Sequence, residues 1–176
     1  SYEWAILACA AYSGDGLVCR DDITGSADVF SGEIGWTPGE PIIGDYLGVG
    51  QAVAYLYQHE DGRSALVYRG SDEWQDFVTN VLGTADPSFL NAAQLRFAVE
   101  LAEDAVAKHP NITFVGHSLG GRLAQISTLS TGRPAVVFNS APLGSWETIR
   151  YAQTFERRSE LVTRLRGPDD PVSILG

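Results

Sequence analysis

The sequence predicts an α/β domain on a mostly parallel central sheet, with an antiparallel N-terminal hairpin and flanking helices. Three observations carry that prediction. From residue 110 onward, apolar β-type runs alternate with helix-compatible segments, the pattern of βαβ crossovers. Before that, residues 51–58 and 64–69 are two β-type runs whose connection contains Asp61-Gly62, a hairpin signal. Between residues 112 and 129, a strand passes into a helix through Gly116-His117-Ser118-Leu119-Gly120, a match to the pattern G-x-S-x-G.

The remaining elements follow in order. Residues 2–12 read as a short helix, apolar at Trp4, Leu7, Ala8 and Ala11, with no glycine or proline to interrupt it. Residues 13–50 are rich in Gly, Asp and Pro and read as a long loop region with short extended pieces. After the hairpin comes a helical candidate over 71–82, closed by Gly83. Asp86-Pro87 then supplies an N-cap and a proline at the first helical position, opening a long amphipathic helix to about Lys108. Its buried stripe is Phe97, Ala98, Leu101, Ala102 and Ala105, opposite Arg96, Glu100, Glu103 and Lys108. Pro110 stops it. The strand 112–115 and the helix 119–129 flank the serine turn, followed by a strand over 135–138, a helix over 146–155 and a last strand over 161–165.

At 176 residues the chain reads as one domain, able to bury a substantial core. Twelve basic against 22 acidic residues give a net charge of −10, which argues against nucleic acid as a partner and against electrostatic docking on anionic membranes. Two cysteines, Cys9 and Cys19, are too few for a zinc site of the finger type, and they read equally as a disulfide or as two buried thiols. Asp15, Asp21, Asp22 and Asp28 cluster without the spacing of a calcium loop, so neither a metal nor a cofactor is expected.

The G-x-S-x-G stretch has the form of a nucleophile elbow, in which a sharp strand-to-helix turn presents a serine. Ser118 must hold strained backbone angles there, and Gly116 and Gly120 leave room for the neighbouring chains. A serine hydroxyl attacks only when a base takes its proton, and the resulting oxyanion needs preorganised N–H donors. One donor is the backbone of Leu119. The second candidate is Ser71, at the end of Leu66-Val67-Tyr68-Arg69-Gly70-Ser71, where Gly70 lets the backbone approach closely. Ser71 reads equally as the cap of the following helix, and the two roles are compatible because a helix N-terminus is itself an anion site.

Three segments in this order resemble the class 3 (fungal-type) lipases, in particular their bacterial lipase-like relatives. Tyr68-Arg69-Gly70-Ser71 followed by Asp76-Phe77 and Asn80 resembles the family's oxyanion-loop signature. Gly116 through Gly121 resembles its elbow, and Arg164 through Asp170-Pro171-Val172 resembles the segment bearing the triad acid. The resemblance covers about residues 50–173 and implies an α/β-hydrolase fold. It also implies Ser118 as nucleophile, Ser71 and Leu119 as the oxyanion hole, and Asp170 as the acid, preferred to Asp169 because the family aspartate directly precedes the Pro-Val step. The expected reaction is hydrolysis of a lipid carboxylic ester, an acylglycerol or a phospholipid, through an acyl-enzyme, with transient contact at a lipid interface. Residues 84–90, with Phe89 and Leu90, are a candidate lid or acyl-contact stretch.

One triad member is missing. The triad in this fold runs Ser, Asp, His, yet no histidine follows Asp170, and the chain holds only His59, His109 and His117. His59 falls in the hairpin turn, His109 at a helix C-terminus, and His117 in the elbow with its side chain expected to point away from Ser118. Three explanations stand: a piece of a longer protein, with the histidine beyond Gly176 or in a second fragment; a different base; or a fold that no longer catalyses. The absent methionine at position 1 favours the first, a domain incomplete at its C-terminus. The competing function is a catalytically weak or inactive lipase-like binding module of a larger exported or toxin-like protein. A secreted or exported location is weakly favoured.

Overall fold

A seven-stranded sheet organises the computed structural model of the protein, which describes residues 2–13, 15–16, 18–19, 29–45, 51–70 and 88–166. The elements in chain order are α1 (Tyr2–Ala10), β1 (Val18–Cys19), β2 (Val29–Phe30), a 3-10 turn (Ser31–Ile34), β3 (Trp36–Pro38), β4 (Ile42–Asp45), β5 (Gln51–His59) and β6 (Ser64–Tyr68). They continue with α2 (Ser88–Lys108), β7 (Ile112–His117), α3 (Leu119–Thr131), β8 (Ala135–Phe138), α4 (Ser145–Arg150), α5 (Phe155–Ser159) and β9 (Val162–Leu165). Strand order is β3-β5-β6-β7-β8-β9, with β4 also pairing β5, and β1 and β2 form a separate two-stranded ribbon.

The expected hairpin is β5–β6, antiparallel with Tyr55 opposite Val67, and Gly62 in its turn takes φ +89. From β6 to β9 the strands run parallel, with Tyr68 level with Gly116 and His117 level with Phe138. This mixed sheet flanked by helices is the architecture of the α/β hydrolases.

Alternation along β7 explains how the sheet is covered. Phe114 belongs to a core cluster with Ala98, Ala102 and Ala105 of α2 and Leu123 and Ala124 of α3, whereas Val115 packs with Leu7 and Ala8 of α1. A strand buried on both faces needs an apolar run, which Ile112–His117 supplies until its last residues. Helix α2 buries its alanine stripe and leaves Arg96, Glu100, Glu103 and Lys108 exposed, as its periodicity predicts. Helix α3 is buried along nearly its whole length. Its interior hydroxyls are satisfied locally: Ser127 Oγ donates to Leu123 O at 3.0 Å and Thr131 Oγ1 to Ser127 O at 2.7 Å.

Two expectations are corrected or resolved. The single helix expected over 146–155 is two short helices, α4 and α5, separated by the turn at 151–154. The second of them is tied to α3 by Arg158, whose guanidinium donates to the carbonyls of Leu129 and Ser130. Cys9 is disulfide-bonded, which decides between bridge and thiols; the chain's other cysteine is Cys19. The helical candidate over 71–82, the Asp86-Pro87 cap and the Thr84–Pro87 part of the lid stretch lie outside the described residues.

Candidate active site

The turn between β7 and α3 holds Ser118 at φ 55 and ψ −122, a conformation that L-residues rarely adopt. Its backbone is pinned from three sides. The Ser118 N–H donates to Phe138 O at 3.1 Å, and its carbonyl accepts from the N–H groups of Arg122 at 3.3 Å and Ala141 at 3.0 Å. Asn139, just after β8, also has positive φ, at 41°. Such angles persist only where surrounding structure overdetermines them.

Close packing explains the flanking glycines. A Cβ on Gly116 would run into the Gly120 carbonyl, and one on Gly120 would run into the Tyr68 carbonyl of β6. Strand β7, helix α3 and strand β6 thus approach each other backbone to backbone at the serine.

Ser118 is 2 % exposed, and its Oγ is buried with no hydrogen-bond partner. A serine preceding a helix ordinarily turns its hydroxyl onto the first free N–H groups, yet this one makes no cap bond. Leaving a buried hydroxyl unmated costs about 1–3 kcal/mol. Leu119 opens α3, so its N–H is among those a helix cannot pair internally, at the positive end of the helix dipole.

The histidines lie elsewhere. On β7, His117 follows the face of Val115 toward α1, where its Nδ1 sits 3.1 Å from the Tyr12 hydroxyl with the rings edge-on at 5.9 Å. His109 precedes β7 and places Nδ1 3.3 Å from Ser64 Oγ, at the start of β6. His59, at the end of β5, places Nδ1 2.8 Å from Asp61 and Nε2 3.2 Å from Ile34 O. Six residues of β7 at about 3.3 Å each put that end of the sheet roughly 20 Å from Ser118. Ionic contacts there are mutual: Arg63 bridges Glu3 and Asp61, both at 2.8 Å. The Arg63 backbone and side chain hold the Asp61 carboxyl down to about 2, and the Arg63 side chain lowers that of Glu3.

Of the residues expected at the site, Ser118, Leu119, Gly116 and Gly120 meet at one turn. Ser71, Asp169 and Asp170 lie outside the described residues. The approach to Ser71 is described, however: Gly70 sits so close to the Tyr12 hydroxyl and the His117 carbonyl that no side chain fits there. Two neighbours carried no sequence signal. Tyr12, 105 residues from His117, stacks under Arg69 at 6.0 Å. Arg122, one turn beyond Ser118, forms an ion pair with Glu147 of α4, itself 3 % exposed. Among the described residues no group of three His, Cys, Asp or Glu is placed to hold a metal, and no helix is long and apolar enough to cross a membrane.

Comparisons with known proteins agree with this architecture. A mutant form of MDLA from Penicillium cyclopium superposes with TM-score 0.58 at 18 % identity, covering 99 % of this chain and 71 % of that one. A fungal lipase superposes with TM-score 0.62 at 16 % identity and the same coverage, and both likenesses concern the fold. The extracellular phospholipase A1 of Serratia liquefaciens is 33 % identical over 87 residues, 49 % of this chain. The match spans only 26 % of that relative's length. The model of the phospholipase-like family called the Tle-like phospholipase domain matches residues 46–175, which takes in the hairpin, the serine turn and β9. By that match, on this lipase-type fold, the chain belongs to the Tle-like phospholipase domain family.

Proposed function

We propose that the chain is a serine hydrolase of lipid carboxylic esters, with phospholipids as the class its relatives favour. The observation that carries this reading is Ser118: strained, buried and unpartnered, on a turn that spends stability to hold a hydroxyl out of reach of its own helix. In the proposed reaction Ser118 Oγ forms a bond to the ester carbonyl carbon while a base takes its proton. The N–H groups of Leu119 and Ser71 hold the oxyanion. The bond to the alcohol oxygen then breaks, that oxygen takes the proton, and water releases the fatty acid from the acyl-serine. Asp170 is the acid that orients the base. His59, His109 and His117 are all engaged away from Ser118, so none of them is assigned as that base.

A fluorophosphonate probe tests the assignment, since it modifies an activated serine and can be mapped by mass spectrometry. Labelling is expected at Ser118 and absent in Ser118→Ala, with short p-nitrophenyl ester turnover falling by roughly 10³-fold or more in that variant. If Ser118 stays unlabelled with and without added imidazole as a surrogate base, the reading is wrong.

A further inference from the structure

Two close approaches fix the end of β6 against the serine turn. From α3, Gly120 comes so near the Tyr68 and Arg69 backbone that it has no room for a Cβ. From the other direction the filler is a side chain. A Cβ on Gly70 would meet the Tyr12 hydroxyl first and the His117 carbonyl next. Tyr12 lies just beyond α1, half-buried, and its hydroxyl also stands 3.1 Å from His117 Nδ1. The Arg69 guanidinium lies over its ring at 6.0 Å. One phenol thus meets Arg69 and Gly70, which continue β6, and His117, the residue immediately before Ser118.

Tyr12 is itself held firmly. Ala11, fully buried, belongs to the cluster that joins Leu7 and Ala8 of α1 to Val67 of β6 and Val115 of β7. Beyond it the chain winds tighter: the Tyr12 N–H donates to Cys9 O at 3.0 Å and the Ser13 N–H to Ala10 O at 2.9 Å. Ser13 Oγ donates to the same Ala10 carbonyl at 2.7 Å, and Cys9 is disulfide-bonded. The phenol is therefore carried on a fixed helix end. A tyrosine needed only to fill space would serve as well as phenylalanine, yet here the hydroxyl is the atom that meets both Gly70 and His117.

Resting on the hydrolase reading above, we propose that Tyr12 is a positioning residue for that reaction, its hydroxyl setting the spacing between the end of β6 and the Ser118 turn. It acts through Gly70 and His117, not on the ester itself. Catalysis by a placed nucleophile and preorganised N–H donors depends steeply on geometry, and a displacement of about 1 Å costs on the order of a hundredfold in rate. Removing the hydroxyl opens a gap beside Gly70 and takes a partner from His117 Nδ1, so the end of β6 relaxes relative to Ser118 while both strands remain.

The time course of fluorophosphonate labelling tests this, with the maximal rate and the half-saturating probe concentration read separately, well below the melting transition. Tyr12→Phe keeps the ring and removes the hydroxyl. It is expected to lower the maximal rate by roughly tenfold, with the half-saturating concentration unchanged within about twofold. Its Tm is expected to move by no more than about 4 °C, the scale of one hydrogen bond. His117→Leu removes the other side of the contact and is expected to cost the same, with the double variant no slower than the slower single one. A Tyr12→Phe rate within about threefold of wild type overturns the proposal, as do losses that multiply in the double variant. A Tyr12→Phe protein that loses rate only in step with its folded fraction marks a structural tyrosine and overturns it as well. If His117→Leu does not fold, Tyr12→Phe carries the test alone. An unlabelled wild type sinks the hydrolase reading and this proposal with it, whereas a labelled wild type matched by Tyr12→Phe sinks only the role of Tyr12.

Discussion

The two ends of the parallel strands are built on opposite rules. At the N-terminal end, Glu3, Asp61 and Arg63 are mutually paired, His59 and His109 are both hydrogen-bonded, and Trp36 lies against Arg63 and His59. At the C-terminal end, Ser118 and Asn139 hold positive φ, and the Ser118 hydroxyl is buried without a partner. One end lowers the energy of the fold; the other raises it, by about 1–3 kcal/mol for each strained residue. Ligands of open α/β sheets bind outside the carboxyl ends of the strands, and the strained serine lies at that end. The contrast also explains why neither His59 nor His109 serves Ser118: both belong to the satisfied end.

Breaking the strained end is expected to have the largest effect. Gly120→Ala drives a methyl group into the Tyr68 carbonyl and should abolish fluorophosphonate labelling while costing roughly 3 kcal/mol in thermal melts. Labelling at the wild-type rate would show that the close approach of β6 and α3 is dispensable. Next comes Glu147→Ala, which leaves Arg122 without its carboxylate one turn after Ser118. Losing one partner of a buried pair costs about 3–5 kcal/mol, so Tm is expected to fall by about 6–20 °C, read by circular dichroism. The smallest effect sharpens the contrast from the other side. The double variant His59→Gln/His109→Gln should keep the labelling rate of Ser118 within about twofold, whatever it does to stability. A tenfold loss would mean that one of these histidines reaches the site.

Much of this contrast was legible in the sequence, for specific reasons. The serine turn announces itself because its glycines are forced by backbone contacts with β6 and within α3, and such contacts leave a fixed spacing behind. The hairpin and α2 are equally plain, since Asp61-Gly62 and the alanine stripe are local signals. The split of α4 from α5 is not local. Residues 151–154 include no glycine or proline, and the second helix is placed by Arg158 reaching the end of α3. The Arg122–Glu147 pair and the Tyr12–His117 contact join residues 25 and 105 positions apart, which no pattern within one element reveals. The contact of Arg164 with Gln125, 39 positions away, was hidden for a further reason. In Val162-Thr163-Arg164-Leu165-Arg166 the apolar residues break the period of two, so the buried face of β9 cannot be read from the string.

The three backbone anchors of Ser118 also tie its posture to the docking of β8. Two of them, Phe138 O and Ala141 N–H, come from β8 and the segment after it, whereas the third comes from α3 itself. Strands β5, β6 and β7 can pair while β8 is still free, but the serine cannot acquire its posture until β8 has docked. A partial opening that peels β8 and β9 from the sheet would therefore silence the serine while most of the core stays protected from hydrogen exchange. On the role proposed above, labelling of this one hydroxyl reports whether β8 is docked.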